Sequence, residues 1–175
     1  MKQTNRSIVA TGLACLALSQ QAFAACEIAE ESKQLDPVEV GFCKADAVFT
    51  GKVQQRLETI RAFRPEGEET TKHFRIQQST VGVVKSYKDK VPAKVLMIAD
   101  LYDKQGAFSF EPEKEYLVFA KKLPAENEYA GASAACSVQP TLLLVEASKV
   151  LEQLEQHKKG RKKIDCKNIR PKAQA

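Results

Sequence analysis

The chain has 175 residues, a formal net charge of +5 and five cysteines. This length fits a single compact domain, and the sequence contains no repeat or low-complexity tract. No two cysteines lie two to four residues apart, and the histidines are limited to His73 and His157. This distribution excludes the usual cysteine and histidine patterns of zinc sites.

The first 24 residues have the pattern of a secretory signal. Lys2 and Arg6 precede an apolar run from Ile8 to Leu18, and small residues flank Phe23 at the expected cleavage site. The run is too short to span a bilayer. We therefore expect cleavage before Ala25, export to the periplasm or the extracellular space, and a mature chain of 151 residues, which is 175 less 24.

The cysteines agree with export. Cys15 is lost with the signal, and the mature chain keeps an even number of four, which is typical of two disulfide bonds in an exported protein. Four cysteines allow three pairings, and the sequence alone does not choose between them. An alternative is a lipoprotein acylated on Cys26, but Phe23 stands where lipoprotein signals have an aliphatic residue, and acylation would leave an odd number of cysteines. The four cysteines of the mature chain are Cys26, Cys43, Cys136 and Cys166.

The stretch from Gly41 to Val53 predicts a turn followed by the first strand. Alternation from Ala47 onward puts Phe49 and Val53 on one side of an extended chain, and we expect this side to face the core of a half-buried strand. Val48 and Thr50 fall on the other side. Asp46, directly before the strand, suits a turn because its side chain can bond nearby backbone.

Four further strands are predicted after a polar loop at residues 61–71. The second strand is long and rich in β-branched residues, and Gly82 within it predicts a bulge or a bend. Short strands with polar turns favour a mainly β fold, a five-stranded OB-type antiparallel barrel. The four predicted strands are Lys72–Tyr87, Val95–Leu101, Ala107–Phe110 and Tyr116–Lys121.

Two segments flank the predicted barrel. Residues 27–40 are acidic and contain Pro37, which predicts a surface segment with no more than a turn or two of helix. Pro140 stands where a helix can begin, and apolar residues follow it at three- and four-residue steps. We predict a carboxyl-terminal helix that packs on the barrel and ends near Gly160. Its apolar stripe comprises Leu143, Ala147, Val150, Leu151 and Leu154.

Two motifs resemble the tissue inhibitors of metalloproteinases and the wider family of netrin-like modules. The run Phe42-Cys43-x-Ala45-Asp46-x-Val48 is similar to the first-strand signature of that family. A later region is similar to the family's paired strands and to the cysteine after them. Order and spacing agree over nearly the whole mature chain, from Cys26 to Cys166. The later region reads Phe108-x-Phe110, then Glu115-Tyr116-Leu117-Val118-x-Ala120, then Ala135-Cys136-Ser137.

The resemblance implies a domain organisation and a disulfide pairing. It implies a netrin-like domain over residues 25–166, followed by a basic tail at residues 167–175. It also implies the disulfides Cys26–Cys136 and Cys43–Cys166. Either bond would close a loop of more than a hundred residues, which the chain-entropy model translates into about 4 to 5 kcal/mol of stability.

The resemblance further implies a partner-binding edge near the mature amino terminus. In the inhibitors, a disulfide-bonded first cysteine chelates the zinc of the protease through its amine and carbonyl. Here Ala24 and Ala107 match this cysteine and its partner, so the bond that holds the amine is missing. We therefore expect a non-enzymatic binding module with another ligand, and metalloprotease inhibition through the amino terminus is the alternative. The implied edge comprises Ala25, Cys26, Glu27, Gln105 and Gly106.

A basic segment ends the sequence. From residue 158 onward, eight lysines and arginines stand against one acid, Asp165. The segment from residue 158 onward therefore carries a net charge of +7. Loss of Lys2 and Arg6 with the signal lowers the net charge of the chain from +5 to +3, so residues 25–157 carry −4. Clustered cations attract anionic polysaccharide, lipopolysaccharide or lipid head groups, and a merely solubilising tail is the alternative. The candidate polyanion patch comprises Lys158, Lys159, Arg161, Lys162 and Lys163.

No catalytic residue, metal ligand or cofactor site is predicted. The sequence ties neither His73 nor His157 to a nucleophile or an orienting acid, and it lacks a glycine loop for phosphate. Nucleic acid is not expected, because the basic segment has no interleaved aromatic residues for base stacking. The expected partner is another protein, for example a protease, or an anionic polysaccharide or envelope surface.

Overall fold

The structure is a computed structural model that describes residues 35–63, 69–100, 108–132, 139–167 and 169. Over these residues the protein is mainly β, with a sheet that closes into a ring and a helix near the carboxyl end. None of the helices in this part of the chain is long and apolar enough to cross a bilayer. The elements are α1 (Pro37–Lys44), β1 (Ala47–Phe63), β2 (Lys72–Lys88), β3 (Lys94–Asp100), β4 (Glu115–Lys122), β5 (Glu128–Gly131), β6 (Leu142–Leu143), a 3-10 helix (Leu144–Glu146) and α2 (Ser148–Lys158).

Five strands form the ring. The order of neighbours is β1-β2-β3-β5-β4-β6, and β1 also pairs with β4, so β6 is an addition to a closed ring. The pairs are antiparallel, as predicted, except for β3 and β5, which run parallel through Leu96↔Glu128 and Met97↔Tyr129. The sequence analysis did not predict β5, a strand of four residues.

Bends in β1 allow it to pair with two strands. Residues 47–52 pair with β4, and β1 pairs with β2 along its whole length, with register shifts after Val48, Thr50 and Val53. A Cβ atom on Gly51 would lie 2.6 Å from the Val81 side chain and 2.8 Å from the Gly82 carbonyl oxygen. The close approach therefore requires glycine at position 51. Gly82 lies beside these shifts, where a bend was predicted.

Residues 47–51 of β1 are buried on both sides of the strand. Phe49 and Val53 are fully buried inside the ring, as predicted, together with aromatic residues such as Tyr129. Val48 and Thr50, on the opposite side, are also buried. Val48 is covered because α1 and α2 pack on the outside of the ring, where they form a second core. That core includes Val38, Phe42, Val48, Leu117, Phe119, Ala147, Leu154 and Ile164.

Helix α1 contains residues 37–40 of the predicted surface segment, whereas residues 27–34 lie outside the described residues. Pro37 begins the helix and does not interrupt it, because the first turn needs no N–H from that residue. The Asp36 side chain caps the helix by accepting a 2.9 Å hydrogen bond from the Val38 N–H. Val38, Val40 and Phe42 are buried, so the described end of the segment belongs to the core.

The carboxyl-terminal helix begins later than predicted. Leu142 and Leu143 pair with β4 as β6, and a 3-10 turn follows before α2 begins at Ser148. Leu143 therefore lies on a strand, and Pro140 begins no helix. The later part of the predicted stripe packs on the ring as expected, and Leu154 is fully buried.

The predicted fourth strand is not a strand over its described part, Phe108 to Phe110; Ala107 lies outside the described residues. Phe110 is buried inside the ring, edge to face with Phe108 and Tyr116 at centroid distances of 4.8 and 5.2 Å. The buried side chain of Gln77 takes the place of a neighbouring strand. It donates to Ser109 Oγ (2.9 Å) and accepts from the Phe110 N–H (2.8 Å).

Candidate functional site

A disulfide fixes the region that contains the candidate polyanion patch. Cys43 at the end of α1 is bonded to Cys166, with Cα atoms 5.3 Å apart. The predicted Cys43–Cys166 pair is thus confirmed, whereas Cys26 and Cys136 lie outside the described residues. Between α2 and Cys166 the chain forms what we call the basic loop, residues 159–163. The loop is held by helix α2 on one side and by the disulfide on the other.

The backbone of the basic loop is bonded to the end of α2. Gly160 has a φ of +69°, a conformation that glycine adopts without the cost of a Cβ atom. Its N–H donates to the His157 carbonyl at 2.9 Å, and the Arg161 N–H donates to the Gln156 carbonyl at 2.9 Å. The loop therefore presents its side chains from a defined backbone.

His157 holds the loop against α1. Its ring packs edge-on against Phe42, with centroids 4.9 Å apart. Its Nδ1 lies 3.1 Å from the Lys162 carbonyl oxygen and accepts from the Ile164 N–H at 3.3 Å. These contacts give His157 a packing role between the two helices.

The fold uses two members of the predicted patch for its own contacts. Lys162 forms ion pairs with Asp36 (3.3 Å) and Glu39 (3.1 Å), and its hydrogen bond to Glu39 is the main cause that raises its pKa. Lys158 donates to the Ser86 carbonyl at 2.8 Å. Both cations therefore join the carboxyl-terminal region to the rest of the molecule.

The other three members remain available. The side chains of Lys159, Arg161 and Lys163 are exposed, and they form no hydrogen bond or ion pair with the described part of the chain. They alternate along the loop with Gly160 and the internally paired Lys162. The structure thus divides the predicted patch into two structural cations and three exposed ones.

A polar cluster between β2 and α2 surrounds Glu155, an acid one helical turn before Lys159. Glu155 forms an ion pair with Lys85 and a hydrogen bond with Tyr87, and both interactions lower the pKa of its carboxyl group. Burial, with a smaller effect of Glu155, raises the pKa of Tyr87 to about 12. The ammonium groups of Lys85 and Lys158 lie 5.3 and 5.8 Å from the centre of the Tyr87 ring. Because Glu155 is already paired with Lys85, it offsets little of the charge of Lys159.

The predicted partner-binding edge is not placed by the structure. Ala25, Cys26, Glu27, Gln105 and Gly106 all lie outside the described residues. The same holds for most of the predicted basic tail, of which residues 167 and 169 are described. The edge and the tail therefore stay predictions.

His73 lies on the exposed part of β2. It lines a shallow depression of about 270 Å³ with Glu58, Thr59, Ile60 and Arg75. Across residues 35–63, 69–100, 108–132 and 139–167, no three histidine, cysteine, aspartate or glutamate side chains are grouped so that they could hold a metal ion.

Sequence reasoning missed a second surface, which we call the ribbon: residues 54–63 of β1 paired with residues 72–80 of β2. Residues 61–63 were assigned to a polar loop. Leu57 and Ile60 on the ribbon are 53% and 69% exposed. The Arg61 guanidinium donates to both carboxylate oxygens of Glu128 on β5, at 2.7 and 2.6 Å. The β-branched residues Thr59 and Ile60 were the available signal for a longer strand.

Comparison of the chain with protein-family models finds no match, and comparison with curated proteins finds none either.

Proposed function

We propose that the protein is an exported, non-enzymatic binding module of the netrin-like type that binds an anionic polysaccharide or envelope surface through its basic loop. The observation that carries this proposal is the set of three exposed cations, Lys159, Arg161 and Lys163, on a loop held by α2 and by the Cys43–Cys166 bond. The disulfide also favours an oxidising compartment, which agrees with the expected signal at residues 1–24.

The netrin-like and OB-type parts of the proposal are supported by the architecture. Five strands close into a ring, β1 pairs with both β2 and β4, and a carboxyl-terminal helix packs outside. The Cys43–Cys166 bond is the one that the resemblance implies. OB-type barrels are small closed barrels that commonly serve as binding scaffolds.

The chemistry of the loop suits sulfate, phosphate and carboxylate groups. Lysine presents a compact charge, whereas the planar guanidinium of Arg161 can form two parallel hydrogen bonds with one such group. Because the loop backbone is bonded to α2, binding would order little beyond the three side chains. A defined loop loses less conformational entropy on binding than a free tail does.

Retention on immobilised heparin and on lipopolysaccharide tests this function. We expect the mature protein to be retained at low salt and released as salt screens the charges, because the Debye length falls from about 10 Å at 0.1 M to 3 Å at 1 M. The variant K159S/R161S/K163S should lose retention. The matched control K94S/K114S/K122S removes three exposed lysines from other elements and should keep it.

Two outcomes would contradict the proposal. Equal retention of the loop variant and the wild type would show that these three cations do not bind the anion. Equal loss in the loop variant and the control would show that net charge alone decides. A third variant, K167S/R170S/K172S, measures the contribution of the predicted tail separately.

A further inference from the structure

The outer edge of the ribbon has no partner strand in the described part of the chain. On one side, β1 pairs with β2 as far as Phe63. On the other side, pairing with β4 ends at Lys52, and Val53 exchanges the last backbone hydrogen bonds with Lys114 and Glu113, each at 2.9 Å. Residues 54–63 then continue with one row of backbone groups unpaired by any described strand. Such a row can accept another extended strand.

This edge lacks two of the devices that usually protect an edge strand. Residues 54–63 contain no proline and no lysine, although both are common means of preventing edge-to-edge pairing. The apolar side chains of Leu57 and Ile60 are 53% and 69% exposed there. The edge is therefore both open and partly apolar.

The ribbon is also held in shape before any partner arrives. Arg61 binds both carboxylate oxygens of Glu128, although β1 and β5 are not neighbours in the sheet. Glu58 accepts from Arg56 at 2.9 Å and from Arg75 at 2.8 Å. A preorganised edge loses less entropy on binding than a mobile one does.

The charges along the edge indicate which strand it would accept. Arg56 and Glu58 stand on either side of Leu57. If two copies pair as antiparallel strands about Leu57, Arg56 of each copy lies opposite Glu58 of the other, on both sides of the axis. Pairing about Glu58 would place two glutamates opposite each other, which is unfavourable. In the register about Leu57, both copies use the same surface, as two-fold symmetry requires.

We propose that the protein forms a two-fold dimer in which the β1 edges of two copies pair antiparallel about Leu57 and extend the sheet from one copy into the other. Arg56 of each copy then exchanges its bond to Glu58 of its own chain for an ion pair with Glu58 of the other copy, which gives two cross-strand ion pairs around the axis. This surface is separate from the basic loop, so the dimer and anion binding can be tested independently.

A charge-reversal mixture tests the partner and the register together. R56E alone places glutamate opposite glutamate, and E58R alone places arginine opposite arginine, so each variant should be monomeric where the wild type is dimeric. An equimolar mixture restores both ion pairs and should form a heterodimer. Sedimentation equilibrium over a concentration series measures all three states, and circular dichroism verifies that each variant is folded.

Cysteine cross-linking tests the geometry. In the proposed register the two Leu57 residues face each other, at a distance that a disulfide can bridge, so L57C should give a covalent dimer on oxidation. The control position Ile60 is more exposed than Leu57, but the two cysteines of I60C would lie about 20 Å apart along the strands. It should stay monomeric on reducing-agent-free gels.

Three results would overturn the proposal: a wild type that is monomeric at every concentration, an R56E and E58R mixture that stays monomeric, or cross-linking of I60C as fast as that of L57C. A monomer in which the amides of residues 54–63 that point away from β2 resist hydrogen exchange would also overturn it, because another part of the same chain would then cover the edge.

Discussion

Replacing Gln77 by leucine tests how the ring is closed around Phe110. Gln77 is fully buried. Its side chain donates to Ser109 and accepts from the Phe110 N–H at 2.8 Å and, more weakly, from Ser79 Oγ at 3.4 Å. Leucine has nearly the same size but removes all three hydrogen bonds.

The expected loss of stability depends on which hydrogen-bonding groups lose their partner. Ser109 is exposed and can bond water instead. The Phe110 N–H and the Ser79 hydroxyl are buried, and each buried group left without a partner costs about 1–3 kcal/mol. Because the Ser79 bond is long and leucine adds apolar contact, we expect Q77L to lower the free energy of unfolding by about 2–4 kcal/mol in total. The melting temperature should fall by roughly 5–15 °C.

Urea unfolding of the oxidised protein measures this cost. The matched control is Q78L, the same change one residue along β2, where the side chain is half-buried and faces the other side of the strand. Q78L should stay within about 0.5 kcal/mol of the wild type. If Q77L also stays within that margin, the Gln77 side-chain amide does not hold residues 108–110 in place, and these residues are fixed to the ring by other contacts.

Two other contacts and the amino terminus each lead to a prediction. K88M should lower the free energy of unfolding by about 1–3 kcal/mol. The reason is that the Lys88 ammonium donates to the carbonyls of Phe42 (2.7 Å) and Ala45 (2.6 Å) at the end of α1. Urea unfolding measures this loss, and an equal effect of K90M would contradict the prediction. Hydrogen bonds from Arg61 lower the pKa of Glu128 below its ordinary value of 4.5, so the stability that this pair provides is present above pH 4.5 and is lost as the pH falls through the lower pKa of the folded state. R61Q should therefore show a smaller loss of melting temperature between pH 7 and acid than the wild type does, and an unchanged loss would count against the pair. The mature protein should not inhibit metalloproteases at micromolar concentration, since no disulfide at residue 25 fixes its terminal amine; nanomolar inhibition that disappears when the amine is acetylated would refute this.

Local patterns predicted the strands well where one face of a strand is polar or where the strand is long. Lys72–Tyr87 differs from β2 by one residue, and Tyr116–Lys121 lies within β4. Phe49 and Val53 were placed correctly because alternation alone determines which side they share. Alternation does not reveal that helices cover the other side of the strand, so the burial of Val48 could not be predicted.

The errors arise where one local pattern permits two structures. Pro37 and Pro140 both suit a helix start, yet Pro37 begins a helix and Pro140 precedes a strand. The side chain of Gln77 explains why residues 108–110 need no neighbouring strand, and this contact spans more than thirty positions. Within the predicted patch, Lys162 and Lys163 are indistinguishable in sequence. The ion pairs of Lys162 with α1 become visible only in the fold.

The Cys43–Cys166 bond joins positions 123 residues apart, and every strand of the ring lies between them. The bond therefore turns the barrel into a covalent macrocycle. A protease that cuts one connection within it, such as residues 89–93 or 123–127, opens the macrocycle without separating its pieces. The nicked molecule stays in one piece until the disulfide is reduced, and only a second cut can release a fragment. In surroundings rich in proteases, the first cleavage within the macrocycle would therefore leave its strands together.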